Sequence, residues 1–292
     1  MLEVFRRTWL RGQCRLELSR TGVSVGRVGR GGKSGEAMPV LVERSIPDPH
    51  TASTAALVEP ITAALQEALA KGSPVLATLG DELVRYFIVT PPGNSARMQD
   101  LQAATAVRFQ VLYGESPSAW HIVGDWQANA PFLACAVSQR ICSALQQAVV
   151  AQLACLVSVT PKFVAAWNRS RRQLGASTWL ATLGDETLTL GLVADAARPR
   201  LAAVRTLRLP QASPSLAWLR EQVARAALLD DLPAPSVLQI HGPQIDGWQE
   251  QGASTGEAGM TVRWCAPGNA QSGTQGSSGS AATRLGWRGR AA

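Results

Sequence analysis

Apolar and polar residues alternate along Cys14–Arg20 (CRLELSR) and Val23–Val28 (VSVGRV), with Thr21-Gly22 between them. A period of two puts every second side chain on one face of a strand, so this pair predicts a β-hairpin. Pro39–Ile46 follows the glycine-rich stretch Gly29–Gly35 and reads as a third strand. The period then changes. In Ala56–Gly72 the apolar residues Val58, Ile61, Leu65 and Leu69 recur every three or four positions, which predicts an amphipathic helix capped by Gly72. In Pro74–Pro92 (PVLATLGDELVRYFIVTPP) two apolar runs flank a short turn. They read as a hairpin over Val75–Val89, with Asp81 and Glu82 facing water.

A helix over Ala96–Tyr113 carries Leu101, Ala104, Thr105 and Leu112 on one side. Ser118–Trp126 and Pro131–Ser138 read as strands. Ser138 is a helix cap for Gln139–Leu156, and Thr160-Pro161 opens another helix. At about Thr178 the pattern restarts. Trp179–Gly184, Glu186–Ala194 and Arg200–Pro210 are strands. Ser213–Leu229 is a helix with Ser213 as cap, Pro214 in the first turn, and Leu216, Leu219 and Val223 facing the core. Ser236–Gly242 and Met260–Gly268 are the last strands. From Gln271 the chain is dominated by Gly and Ser, cannot build a core, and reads as a disordered tail. The order strand, strand, strand, helix, strand therefore occurs twice, at an offset of roughly 160 residues. The heptapeptide LATLGDE also occurs twice, at Leu76–Glu82 and Leu180–Glu186. That spacing does not match the offset of the halves, so the two copies occupy non-equivalent places, each settling on the same turn chemistry.

Composition narrows the function classes. The 292 residues suffice for two lobes, and the apolar fraction of 46% is that of a globular protein. No apolar run is long enough to span a bilayer, and the N-terminal MLEVFRRTWLRG has no apolar core of a secretion signal. Five scattered cysteines without CxxC spacing imply free thiols in a reducing compartment, and with only three histidines no metal site is expected. The net charge of +7 is concentrated in the first 33 residues, at Arg6, Arg7, Arg11, Arg15, Arg20, Arg27, Arg30 and Lys33. Such a terminus suits an anionic surface. It shows no aromatic–basic interleaving of the RNP type, so it gives no motif for nucleic acid, which is not an expected partner. No nucleophile elbow, P-loop or dinucleotide fingerprint is present, and no catalytic residue is singled out.

The segments LELSRTGVSVGRV, VLATLGDELVRYFIVTPPGNSARMQDLQAATAVRFQ, AWHIVGDW with FLACAVSQRICSALQQAV, and the restart WLATLGDETLTLGLV carry a resemblance. In order and spacing they resemble the PilM-type proteins of type IV pilus assembly and the cytoplasmic domain of their type II secretion relative GspL. The resemblance runs from about Arg15 to Pro267. It implies an α/β, two-lobed, actin-like (RNase H-like) fold with a small α+β insert in the first lobe. The implied divisions are a first lobe over 1–175 with the insert at about 75–127, a second lobe over 176–267, and a tail over 268–292.

In that fold a nucleotide lies between the lobes, and the first hairpin of each lobe reads roughly apolar-Asp-apolar-Gly. The resemblance places Glu17, Ser19 and Gly22 in the first phosphate-type hairpin, Thr182 and Gly184 in the second, and Gly242, after His241, in the adenosine-type turn. Glu17 and Thr182 stand where Asp is expected, Ser19 and His241 where Gly is expected. The cleft therefore reads as degenerate. No cofactor is expected, with ATP and magnesium as the alternative, and hydrolysis is not expected. The family role implied is a non-enzymatic cytoplasmic scaffold, peripheral to the inner membrane, of a pilus or secretion platform. It would bind the short N-terminal tail of a PilN-type bitopic membrane protein and communicate with an assembly ATPase. The groove maps to Val84, Tyr86, Leu101, Val107, Trp120 and Ile122. The alternative is an actin-like nucleotide-binding enzyme, an ATPase or small-molecule kinase, with an atypical phosphate cleft.

Overall fold

A computed structural model of the chain describes residues 13–28, 40–93, 97–175, 177–194, 199–210, 214–248 and 260–265. The alternating segments at the start form β1 (Gln13–Leu18), β2 (Gly22–Val28) and β3 (Val40–Ser45). They are joined by β4 (Pro74–Leu79) and β8 (Cys155–Pro161) into a sheet of order β3-β2-β1-β4-β8. β1, β2 and β3 are antiparallel neighbours, whereas β1, β4 and β8 run parallel. The second half repeats this arrangement. β9 (Thr178–Leu183), β10 (Thr187–Val193), β11 (Leu201–Arg208), β12 (Val237–His241) and β13 (Thr261–Cys265) form a sheet of order β11-β10-β9-β12-β13. Here too the first three strands are antiparallel and β9, β12 and β13 parallel. The restart at Thr178 is thus a second lobe of the same topology.

In the first lobe, α1 (Thr54–Glu67) and α3 (Gln139–Ala151) pack side by side, burying Leu57, Ile61, Ala64 and Leu65 against Ile141, Leu145 and Val149. α4 (Lys162–Ser170) follows β8 and packs on both β8 and β9, so it lies between the lobes. In the second lobe α5 (Leu216–Leu229) buries Leu219 and Val223. The indole of Trp248 fills that core and donates to the Pro214 carbonyl at 2.6 Å. A third sheet of order β5-β7-β6 is the insert, made of β5 (Val84–Val89), β6 (Trp120–Gly124) and β7 (Phe132–Ser138). Phe87, Phe109 and Phe132 form its core with Leu101 of α2 (Met98–Tyr113).

Four expectations are corrected. The first concerns Val75–Val89, which is no hairpin: β4 belongs to the lobe-one sheet and β5 to the insert. A 3₁₀ turn over Asp81–Leu83 carries the chain from one to the other. The insert's strands accordingly run from β5 to β7, later at both ends than 75–127. The second lies in Gln139–Leu156, where the helix stops at Ala151. Leu153 takes a left-handed conformation (φ 51°), and the alternating Cys155–Pro161 pairs with β4 as a strand. The third is the end of α1, which falls at Glu67, before Gly72; there Leu69 (φ 54°) takes the left-handed position and its side chain is exposed. The fourth is the buried side of α2, which is Leu101, Thr105 and Phe109, while Leu112 is exposed. The cap of α5 is Ser215. Ser213, Gly29–Gly35, the early arginines Arg6, Arg7 and Arg11, and the tail from Gln271 lie outside the described residues. Among the described residues no helix is long and apolar enough to cross a membrane.

Candidate functional site

The site begins where β4 ends. The Gly80 amide donates to the Leu18 carbonyl at 2.8 Å, which ties the end of β4 to β1. The turn that follows drives Asp81 inward until it is only 3% exposed. Its carboxylate accepts the Tyr86 phenol at 2.6 Å and the Phe163 amide at 2.8 Å on one oxygen. The other oxygen accepts the Thr182 hydroxyl at 2.5 Å. Phe163 is in the first turn of α4, whose unpaired amides and positive end favour an anion. Asp81 therefore joins β4, the insert, α4 and the second lobe at one point. Burial pushes its carboxyl above the ordinary range, against the pull of the three hydrogen bonds and the Lys162 charge. Tyr86 is pushed well up by burial and by Asp81.

Glu82 turns the other way, toward the first hairpin. Its Oε1 accepts the backbone amide of Arg20 at 3.0 Å. Burial raises this carboxyl too. Both acidic residues of the first LATLGDE copy are thus drawn into the interlobe contact, contrary to the expectation that they face water. Thr182, from the second copy, is completely buried against Asp81. The two copies are non-equivalent in topology, one on β4 and one on β9, yet they meet.

The candidate cleft residues are largely satisfied by the protein itself. Ser19 and Gly22 close the first turn on each other: the hydroxyl donates to the Gly22 carbonyl and accepts the Gly22 amide, both at 3.1 Å. The Gly184 amide donates to the Thr187 carbonyl at 2.8 Å and closes the second turn. Glu17 is exposed and lies 3.5 Å from the Lys162 ammonium. Gly242 has φ +147°, and a Cβ there would come within 2.5 Å of the Leu183 carbonyl oxygen, so this glycine is explained by close backbone approach. His241 points to α4, with Nε2 2.9 Å from the Ser170 hydroxyl, and burial and Arg169 pull its pKa down to about 4. Among the described residues no three His, Cys, Asp or Glu side chains gather as a metal site.

A cavity of about 370 Å³ opens beside this junction, between the insert and the second lobe. Val84, Tyr86 and Trp120 of the expected partner groove line it, together with Arg20, Arg85, Glu186, Thr187 and Arg208. Leu101 is core, Ile122 is half-buried, and Val107 stands 62% exposed on the outer face of α2; these three do not reach it. Val84 and Tyr86 are themselves buried, so they form its floor. Arg85 lies over Tyr113 and Trp120, 5.1 and 5.7 Å from the ring centroids, and pairs with Glu115. Arg20 pairs with Asp48 at 2.8 Å and with Glu186 of the second lobe at 3.6 Å. Arg208 has no acidic partner among the described residues, and the buried Thr187 hydroxyl has no hydrogen-bond partner. A second cleft of about 450 Å³, at Asp125, Trp167, Arg171, Arg172 and Arg200, contains none of the candidate residues. The sequence reading missed Arg20, Asp81, Glu82 and Arg208. Its one usable signal was an acidic pair set directly between two apolar runs.

No protein-family model matches this sequence, and no curated protein matches it. Solved structures do match. The cytoplasmic domain of EpsL, an inner-membrane component of the Vibrio cholerae type II secretion system, is 13% identical with a TM-score of 0.53, over 87% of this chain and 89% of that one. A PilM–PilN type IV pilus biogenesis complex matches at 15% identity and a TM-score of 0.54, over 82% of each chain. A Bacteroides thetaiotaomicron protein described as having an actin-like ATPase fold and unknown function matches at 11% identity and a TM-score of 0.52, over 83% of this chain and 86% of that one. Two five-stranded sheets of one topology, an insert after β4 and these likenesses together establish that the chain has the two-lobed actin-like ATPase fold.

Proposed function

We propose that this protein is a non-enzymatic scaffold of a pilus or secretion assembly platform, working at the cytoplasmic face of the inner membrane. The observation that carries this reading is the use of Asp81 and Glu82. One carboxylate caps the amide end of α4 and the other takes an amide of the first hairpin, the kinds of group that hold phosphate in a working cleft. A phosphate chain would have to displace the buried Asp81 and the half-buried Glu82. Further support comes from the neighbours: EpsL is an inner-membrane component of a secretion system, and the PilM structure is a complex with PilN. The partner is the short cytoplasmic tail of a bitopic membrane protein, lying extended in the cavity floored by Val84 and Tyr86. Arg208 supplies a polar anchor for its acidic groups.

Two titrations of the purified protein test this. A fluorescent ATP analogue with magnesium is expected to show no saturable binding and no turnover; tight binding with turnover would establish the enzyme instead. A labelled peptide of the cytoplasmic tail of a PilN-type protein is expected to bind, and Arg208→Glu to weaken it at least about tenfold. Equal binding by wild type and variant removes this cavity as the groove.

A further inference from the structure

Leu69 and Leu153 share an unusual setting. Each directly follows the cap of a helix, α1 and α3 respectively, and each has positive φ, 54° and 51°. Glycine adopts this conformation freely at such positions, whereas leucine is strained there. Neither leucine gains burial in return: they are 70% and 73% exposed. The two turns adjoin, since the Gly72 amide donates to the Gln152 carbonyl at 3.2 Å and the Cys155 amide to the Ser73 carbonyl at 3.2 Å. Val150 of α3 is 61% exposed and Val157 of β8 45% exposed.

The net charge of the residues flanking these turns is positive. Lys71 lies between the turns, is exposed and has no acidic partner among the described residues. Glu67, at the end of α1, is taken by Arg44 at 2.7 Å. No Asp or Glu occurs from Trp126 to Gly184, the stretch that supplies α3, β8 and α4. Strained, exposed leucines beside the unpaired Lys71, next to a stretch without acids, match the interface of an anionic bilayer, where apolar groups enter the headgroup boundary and basic groups face phosphate.

We propose that the paired turns at Leu69 and Leu153 are a membrane-contacting tip that docks the first lobe on an anionic lipid surface. This specifies where the scaffold reading meets its membrane, but its test does not involve the tail peptide, so either can fail alone. The test is co-sedimentation of the full chain with phosphatidylcholine vesicles with and without phosphatidylglycerol. The wild type is expected to bind the anionic vesicles, to bind less as salt rises, and to ignore the neutral ones. The double variant Leu69→Gly/Leu153→Gly relieves the backbone strain, so it is expected to unfold no earlier than wild type yet partition at least about tenfold more weakly. Cys155 is exposed between Leu153 and Val157. A polarity-sensitive fluorophore there, in a Cys265→Ser background, is expected to shift to the blue on binding. Failure of the wild type to bind, equal binding by the glycine variant, or an unshifted fluorophore overturns the proposal. So does self-association of the wild type that the glycine variant abolishes, which would make the tip an interface between copies.

Discussion

Asp81 accepts a phenol, a hydroxyl and a helix amide in a place with almost no water. Removing the acceptor strands three buried donors, so Asp81→Ala is expected to cost at least ~3 kcal/mol in urea unfolding. Asp81→Asn is a subtler probe. Its amide oxygen can keep two of the donors, and the Thr182 hydroxyl can turn to accept from the amide nitrogen. The carboxyl is shifted up by burial, so the folded state holds its proton more tightly than the unfolded chain. The stability contributed by that proton is complete below the ordinary carboxylate pKa of about 3.9 and is lost as pH rises through the folded value. Asp81→Asn should therefore flatten the fall in stability above about pH 4, with Glu82, shifted the same way, keeping its share of the slope. An unchanged pH profile of urea midpoints would show that Asp81 does not titrate in this way. None of this was legible in LGDE, where a glycine followed by two acids reads as a solvated turn. The acids are inside because β4 and β5 belong to different sheets.

At the scale of elements, strands and helices were read in nearly the right order, because a period of two or of three to four survives in most of them. The failures share one cause. β8 was hidden because α3 gives way to it through a left-handed leucine, with no Gly or Pro to mark the break. Gly72 attracted the cap of α1 for the converse reason, being the residue type expected in a conformation that Leu69 had already taken. Periodicity found Leu101 and Thr105 on the buried side of α2, but it extended that side to Leu112, which is exposed, and missed Phe109, which reaches the insert core. In the second lobe, Trp218, Trp248 and Trp264 stack in series at 6.5 and 6.1 Å. Trp248 is fully buried and its N–H is used, so Trp248→Ala is expected to cost about 3–5 kcal/mol. Intrinsic tryptophan fluorescence should report that loss as an unfolding step at lower urea. A change under about 1 kcal/mol would mean that α5 and the sheet pack without it.

Between the lobes, Leu180 and Leu201 pack into the first-lobe core, and polar contacts join Asp81 with Thr182, His241 with Ser170, and Arg20 with Glu186. His241 is pulled down to about 4 by burial and Arg169, so it is neutral when folded. Its contribution is present above the ordinary histidine pKa of about 6.5 and is lost as pH falls from there toward 4. His241→Gln keeps a hydrogen-bonding side chain and should remove that acid loss, so thermal midpoints from pH 7 to 4 are expected to fall less steeply than in wild type. An identical slope would place the acid sensitivity elsewhere. The chain's own pattern was enough to announce two like halves and an actin-like order of elements, because strand and helix periods and caps are local and need no partner. The expectation that Glu17, Ser19 and Thr182 alter phosphate-type hairpins came from the resemblance, since residue types are visible in one dimension once a family pattern is laid over them. Only the tertiary structure decided that Asp81 and Glu82 occupy the amides of α4 and the first hairpin, and that Val84, Tyr86 and Trp120 line one cavity beside that junction. Those facts depend on which sheet β5 joins and on how two distant lobes close, and sequence spacing does not encode a contact between residues 81 and 182.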